Sequence, residues 1–220
     1  MKIVSVNIGE PKVIQWRGKP VKTGIFKYPV NCPVFLEKED VRNDHVINRK
    51  YHGGVDKACY AYSLDHYNYW KKLYPEIQFH NGIFGENLTI ASLNEAEVVI
   101  GNIYKIGETE IQVTQPRQPC FKLGVRFGTQ KMVHQFVDSG FPGVYFRVLK
   151  PGQVKAGDEM VLIEKQNSVS VQKVFELLYT PKFQKQPIEM AMDNPYLAES
   201  CRSDLLKKWG KQIEKINRPV

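Results

Sequence analysis

The sequence predicts an α+β protein: a mainly β body with helices over residues 1–167, followed by a small α-helical domain over residues 168–220. Three observations carry that expectation. Apolar and polar residues alternate through the first 60 positions, broken often by Gly and Pro. Strand-like segments recur as far as residue 163. After about Ser168 the pattern changes to three short runs of helical period. A chain of 220 residues buries roughly seventy percent of its unfolded surface and needs no disulfide framework.

The elements follow in order. Residues 3–8 alternate as a strand, and residues 13–16 and 22–26 read as its neighbours. Ser63 can cap a helix to about Tyr74, with Leu64, Tyr67, Trp70 and Tyr74 on one face and Pro75 as the stop. Residues 87–90 form a strand, and residues 103–115 a hairpin turning at Gly107 and Glu108. Thr129 opens a short helix with Met132, Val133, Phe136 and Val137 on its apolar face, closed by Gly140. Residues 143–148 and 159–163 are strands again. Beyond them Ser170 caps residues 171–179, Pro187 opens 188–192, and Ser203 caps a last helix to about Ile216.

Composition sets bounds on function. Hydrophobic residues make up 42% and charged residues 25%, as in an ordinary globular protein. No apolar run approaches membrane-spanning length and residues 1–8 lack a signal h-region, so the expectation is a soluble, cytoplasmic protein without a membrane partner. The four cysteines form no CxxC pair and the five histidines no i,i+4 pair, which argues against zinc ribbons, dithiol redox motifs and zincin sites. Half of the net charge of +8 lies between Arg202 and Arg218, where six cations stand against Asp204 and Glu214. Interleaved with Leu205, Leu206, Trp209 and Ile213, those cations read as the solvated face of an amphipathic helix rather than a nucleic-acid interface.

Four segments carry possible chemistry. At residues 49–58, Gly53 and Gly54 free the backbone to turn and expose N–H groups, with Arg49, Lys50 and Lys57 beside them. The pattern suits a phosphate, although taken alone it reads first as a solvated hairpin turn. At residues 115–124, Cys120 follows Pro116 and Pro119 at a strand exit, and Arg117 and Lys122 favour its thiolate as ligand or nucleophile. Cys32 has no nearby cation, Cys59 lies in an apolar run, and both read as packing residues, while Cys201 sits at a helix edge. Glu86 and Asn87 follow Gly85 at a strand start, where they orient a polar ligand or bond to local backbone. Residues 143–152 form a strand and turn with Arg147 as a supporting cation.

In this order the segments resemble the MOSC family, named from the C-terminal part of molybdenum-cofactor sulfurases, and are most similar to its YiiM-type branch. The matching motifs are the basic His-Gly-Gly segment from Arg49 to Ala58, Gly-Glu-Asn-Leu at residues 85–88, Gln-Pro-Arg-x-Pro-Cys-x-Lys at 115–122, and the Gly-x-Tyr-x-Arg-Val strand with its Ala-Gly-Asp turn. The resemblance covers residues 1–165, and the branch's three-helix C-terminal extension looks like the helical tail here. Val55 and Cys59 depart from the usual Pro and Val, leaving open whether Cys59 joins the site.

The resemblance implies a β-barrel-like core and a molybdopterin-type molybdenum cofactor. Cys120 maps onto the family's cysteine, as metal ligand or as persulfide carrier. Arg49, Lys50, His52, Gly53, Gly54, Lys57, Arg117 and Lys122 map onto contacts to phosphate or pterin, and Glu86 and Asn87 onto residues that orient the ring system. His52 is either a proton relay or a structural turn residue. The implied activity is reduction of N-hydroxylated small molecules such as N-hydroxylated purines, with electrons from a separate reductase. The alternative is a cofactor or sulfur carrier working through the same cysteine.

Overall fold

The computed structural model describes residues 1–216, apart from the side chains of Lys50, Lys215 and Ile216. The site expectation for the Lys50 side chain, and the Lys215 and Arg218 end of the basic stretch, therefore lie outside the described residues.

Alternating side chains become strands wherever one face can be buried. The strands are β1 (Lys2–Gly9), β2 (Lys12–Trp16), β3 (Lys19–Thr23), β4 (Lys27–Pro29), β5 (Val34–Leu36), β6 (Cys59–Ser63), β7 (Leu88–Ala91), β8 (Ile103–Ile106), β9 (Thr109–Pro116), β10 (Val144–Lys150), β11 (Gly152–Val154) and β12 (Met160–Glu164). The helices are α1 (Arg49–His52), α2 (Tyr67–Leu73), α3 (Phe121–Arg126), α4 (Lys131–Ser139), α5 (Val171–Tyr179), α6 (Lys185–Asp193) and α7 (Glu199–Ile216). Eight strands form one mixed sheet in the order β12-β8-β9-β10-β6-β7-β1-β4, in which only β6 and β7 run parallel. The α+β class is as expected, and Gly107, with φ 55°, turns the β8–β9 hairpin where the sequence placed it.

The expected barrel does not close. The sheet curls until residues 157–160 reach the start of β1, with Ile3 N–H donating to Asp158 O at 2.9 Å and Gly157 N–H to Ile3 O at 2.8 Å. The seam is short, with one isolated bridge between Lys2 and Glu159, and β4 occupies the other half of the same β1 edge through Asn7, Ile8 and Gly9. A second correction concerns β2 and β3, which pair with each other as a separate hairpin instead of flanking β1. The latter ends at Thr23, three residues short of the expected limit. A Cβ on Gly24 would come within 1.8 Å of the His45 carbonyl oxygen, so the chain here lies against another backbone segment.

Helix starts depend on local bonding more than on residue type. Ser170 caps α5 as expected, its Oγ accepting from Lys173 N–H at 3.2 Å, and Gly140, with φ 69°, closes α4. Ser63 does not cap. It is the last residue of β6, its hydroxyl is buried without a partner, and a 3₁₀ turn over Leu64–His66 precedes α2. Gln130 rather than Thr129 occupies the N-cap of α4, and Ser203 lies inside α7, which begins at Glu199.

Strand β6 divides the interior in two. Cys59 and Ala61 point into an aliphatic core, and Tyr60 and Tyr62 into an aromatic one, as the two-residue strand period requires. In the aromatic core Tyr62 stacks on Phe84 at 4.2 Å and accepts a 2.7 Å hydrogen bond from Trp70 Nε1. The aliphatic core extends from the sheet into the C-terminal helices through Val174, Leu177, Ile188, Cys201, Leu205 and Trp209. The basic stretch of α7 is correspondingly more than a solvated face. The Arg202 guanidinium donates to the carbonyls of Met192 and Asn194 at the end of α6, and Lys208 Nζ donates to Leu178 O in the last turn of α5 at 2.8 Å. Cations placed at helix C-termini complement the unpaired carbonyls there. Among the described residues no helix is long and apolar enough to cross a membrane.

Trp209 is buried and donates from Nε1 to Leu177 O at 2.9 Å. Trp209→Ala should lower the unfolding free energy by about 3–5 kcal/mol in urea titrations; a loss below about 1 kcal/mol would contradict the packing described.

Candidate active site

Strand β9 ends at Pro116, and the loop beyond it is too stiff to rejoin the sheet. Arg117 is 6% exposed and its guanidinium lies over the rings of Tyr60 and Phe136, at 4.9 and 5.6 Å. Its Nη1 donates to the carbonyl of Phe84, tying this loop to the segment before β7. Cys120 follows in an extended conformation (φ −136°, ψ 171°), half-buried, with α3 starting at the next residue.

From the other side, α1 and the turn after it deliver His52 and Lys57. The imidazole Nε2 of His52 lies 3.8 Å from Cys120 Sγ. Burial lowers the His52 pKa to about 4, with help from the charges of Lys122, Arg117 and Lys57, so the ring is neutral at physiological pH. Burial also lowers the pKa of Lys57, whose Nζ donates to Tyr51 O at 2.9 Å. Arg147 pairs with Asp56, with Nε 2.9 Å from Oδ1, and so fastens the Val55–Lys57 turn to β10.

These side chains line a cleft of about 610 Å³, counted to its solvent-facing mouth. His52, Lys57, Asn87, Arg117, Cys120 and Lys122 all reach it, so the structure brings together six of the residues singled out in the sequence. Three other expectations need correction. Arg49 turns outward, with its side chain 47% exposed, and pairs with Asp40 and Glu39. Gly53 and Gly54 do not line the cleft; Gly53 N–H is taken by Arg49 O, and Gly54, with φ 94°, reverses the chain so that His52 and Lys57 face the same space. Glu86 does not orient a ligand, because it is fully buried. Its carboxylate accepts from Gly82 N–H at 2.7 Å, Phe84 N–H at 3.0 Å, the Thr89 hydroxyl at 2.9 Å and the Tyr67 hydroxyl. Burial raises its pKa despite these bonds.

Sequence reasoning missed Lys27, His45 and Tyr145 as cleft residues. Lys27 pairs with Asp44 behind the wall, and Asn87 Nδ2 donates to the same carboxylate at 3.0 Å, contacts that no sequence spacing announces. Tyr145 was legible, since it lies in the strand motif already singled out. Cys59, by contrast, is fully buried in the aliphatic core and burial pushes its thiol up to about 12, so it does not join the site.

The lining is strongly one-signed. Among the described residues no carboxylate lines the cleft, and Lys122, only 7% exposed, has neither a hydrogen bond nor an ion pair. No three His, Cys, Asp or Glu side chains among the described residues stand together as a metal cage. A metal ion at Cys120 would need its other donors from a cofactor. A soft sulfur beside unpaired cations suits a group that carries both sulfur-bound metal and phosphate.

The His52 shift has a sign that can be checked. Between pH 4 and 6.5 the unfolded chain takes up a proton that folded His52 refuses, so this group's contribution to stability falls as pH drops through that window. In NMR titration the His52 ring should show a midpoint near 4, moving upward in Lys122→Ala; a midpoint near 6.5 in the wild type would refute the burial argument.

The MOSC domain matches residues 48–161. An uncharacterised Bacillus subtilis protein, YflK, is 37% identical over 207 residues, 94% of this chain and 93% of its own length. A Gibberella moniliformis protein named a reductase is 34% identical over 151 residues, 67% of this chain and 27% of that longer protein. The crystal structure of YiiM from Geobacillus stearothermophilus superposes with a TM-score of 0.79 at 33% identity, covering 94% of this chain and 98% of that one. The MOSC domain is associated in general with molybdenum-cofactor binding. By sequence and by fold, the chain belongs to the MOSC family and to its YiiM-type branch.

Proposed function

We propose that the cationic cleft holds a molybdenum cofactor with Cys120 toward the metal, and that the protein reduces N-hydroxylated small molecules such as N-hydroxylated purines. The observation that carries this reading is Lys122, a largely buried side chain lining the cleft, with no hydrogen bond or ion pair among the described residues, beside an accessible thiol. An anionic ligand in the cleft would give the Lys122 ammonium the charged partner the protein does not supply. Lys57 and Arg117 add charge to the same wall, and Asn87 offers an amide to a ring system. The family's general association with the cofactor and the reductase name of the fungal relative lend further support.

When bound, the cofactor supplies a two-electron redox couple able to break an N–O bond. Conversion of a hydroxylamine R–NHOH to R–NH2 and water takes two electrons and two protons, and the electrons come from a separate reductase. His52 is neutral at working pH and its Nε2 faces Cys120 Sγ, so it can hold or pass a proton beside the reacting centre. Tyr60 and Phe136 shield the guanidinium of Arg117 from water, which keeps its charge effective at short range.

Protein made in a cofactor-competent host should carry about one molybdenum per chain and turn over an N-hydroxylated base once a chemical reductant is added; Cys120→Ser should lose both. Accumulation of an extra sulfur on Cys120, without turnover of any base, would replace this reading with a sulfur carrier. A hydrogen bond to a charged group contributes about 1.5–3 kcal/mol, so Lys122→Ala should weaken cofactor retention roughly ten- to a hundredfold, read as pterin and metal content after dialysis. Retention equal to wild type would remove Lys122 from the site.

A further inference from the structure

A second cleft, about 910 Å³ counted to its mouth, meets the first at Cys120. The two share His52, Lys57, Cys120 and Tyr145 and otherwise have different walls. The remaining wall of the second is the β9 exit, through Gln115 and Gln118, and one stripe of α7. Ser200, Ser203, Asp204 and Lys207 recur at three- and four-residue intervals and so lie along one side of the helix. An adjacent stripe of Cys201, Leu205 and Trp209 is buried in the aliphatic core, which fixes how the polar stripe is presented.

This wall adds groups that the first cleft lacks. Beside Lys57, Lys207 and the Tyr145 ring it carries a carboxylate, two glutamine amides and two serine hydroxyls. Asp204 Oδ2 accepts from Gln118 Nε2 at 3.0 Å and Oδ1 from Lys207 Nζ at 3.1 Å. A carboxylate has about four acceptor positions, so both oxygens keep unfilled ones. Among the described residues the Gln118 carbonyl oxygen has no partner. Although partial burial acts the other way, the bonds from Gln118 and Lys207 hold the Asp204 carboxyl below its usual range, so it is an anion at neutral pH. Open acceptors are thus available here, at Asp204 and Gln118, whereas among the described residues no carboxylate lines the cleft across the sulfur.

We propose that this second cleft seats the substrate: a neutral, flat nitrogen base whose N–H donors bond to Asp204 and Gln118 and whose hydroxylamino end points to Cys120. The assignment rests on the reductase reading above and adds a specificity role for α7. A phosphorylated, anionic group is drawn to the cations of the first cleft, while an uncharged base gains little there. With the cofactor in the first cleft, the base reaches the same sulfur from the side that remains open.

The test uses adenine as an unreactive probe on the whole chain, with the rate of Cys120 alkylation by iodoacetamide read by mass spectrometry. Adenine should slow alkylation of the wild type. In Asp204→Ala, and in the double variant with Gln118→Ala, about tenfold more adenine or beyond should be needed for the same protection, because bonds to a charged acceptor are lost. Ser203→Trp fills the cleft without touching either acceptor and should abolish protection. Circular dichroism checks that each variant is folded, and Asp204→Glu should restore part of the effect. Equal protection in wild type and Asp204→Ala, or none in the wild type, would overturn the assignment. The reductase reading fails separately: adenine protection that depends on Asp204, in a protein that takes up no molybdenum, leaves the base site standing and removes the redox chemistry. Turnover of an N-hydroxylated base with a KM indifferent to Asp204 and Ser203 removes the seat and keeps the enzyme.

Discussion

A carboxylate with no access to water organises the segment on which the site is built. Glu86 accepts from two backbone N–H groups and two hydroxyls, and an isolated carboxylate at that depth would cost several kcal/mol. Satisfying it forces residues 82–86 to wrap around its oxygens, which requires the positive φ of Gly82 (87°) and Gly85 (80°). The wrapped loop turns the carbonyl of Phe84 toward Arg117, and Arg117 stands three residues before Cys120. Asn87, next along, reaches from the cleft wall to Tyr60 N–H and Asp44. Placement of the thiol therefore runs back through one guanidinium and one loop to a single buried acid. The residue that resembled a ligand contact is the one that shapes the wall.

Around that frame the protein holds positive charge that it does not neutralise. Lys27 is matched by Asp44, but Lys57 bonds only to a carbonyl, Arg117 to a carbonyl and two ring faces, and Lys122 to nothing among the described residues. Packing like charges this closely works against folding, and at His52 the charges of Lys122, Arg117 and Lys57 add to burial in lowering the pKa, whereas at Lys57 burial alone lowers it. Two arrangements relieve the repulsion: a neutral imidazole, which His52 already is, and a bound anion.

What could be read in the sequence was whatever local spacing decides. The alternation of β1, the Gly107 turn, the Ser170 cap and the Gly140 stop depend on neighbours a few residues away, and each stands where the pattern put it. The motif at residues 115–122 likewise marked a stiff loop that does carry cleft residues. Long-range contacts were not legible. Whether the barrel closes depends on competition between β4 and residues 157–160 for one edge of β1. Arg49 has the right company in sequence, yet Asp40 and Glu39 draw it outward. Lys27 and His45 enter, with Asp44 paired to Lys27 behind them, because the loop following β3 folds back against His45.

The basic tail is the clearest case of composition misdirecting function. A run of cations at one end of a chain has the footprint of a nucleic-acid binder or of a plain solvated helix, and in α7 part of that charge is bonded within the protein. Arg202 and Lys208 are spent on the carbonyl ends of α6 and α5, where they fasten three helices together. Lys207 leans on Asp204, at the rim of the second cleft. A charge that bonds a helix end inside its own protein is not available to a phosphate backbone, so net charge overstates the field that α7 presents. What the helix offers is geometric: one apolar stripe that anchors it, and beside it one polar stripe held against the loop that carries Cys120. Anchor and polar stripe share one rigid element, and the burial of Cys201, Leu205 and Trp209 sets the position of Asp204 relative to the sulfur.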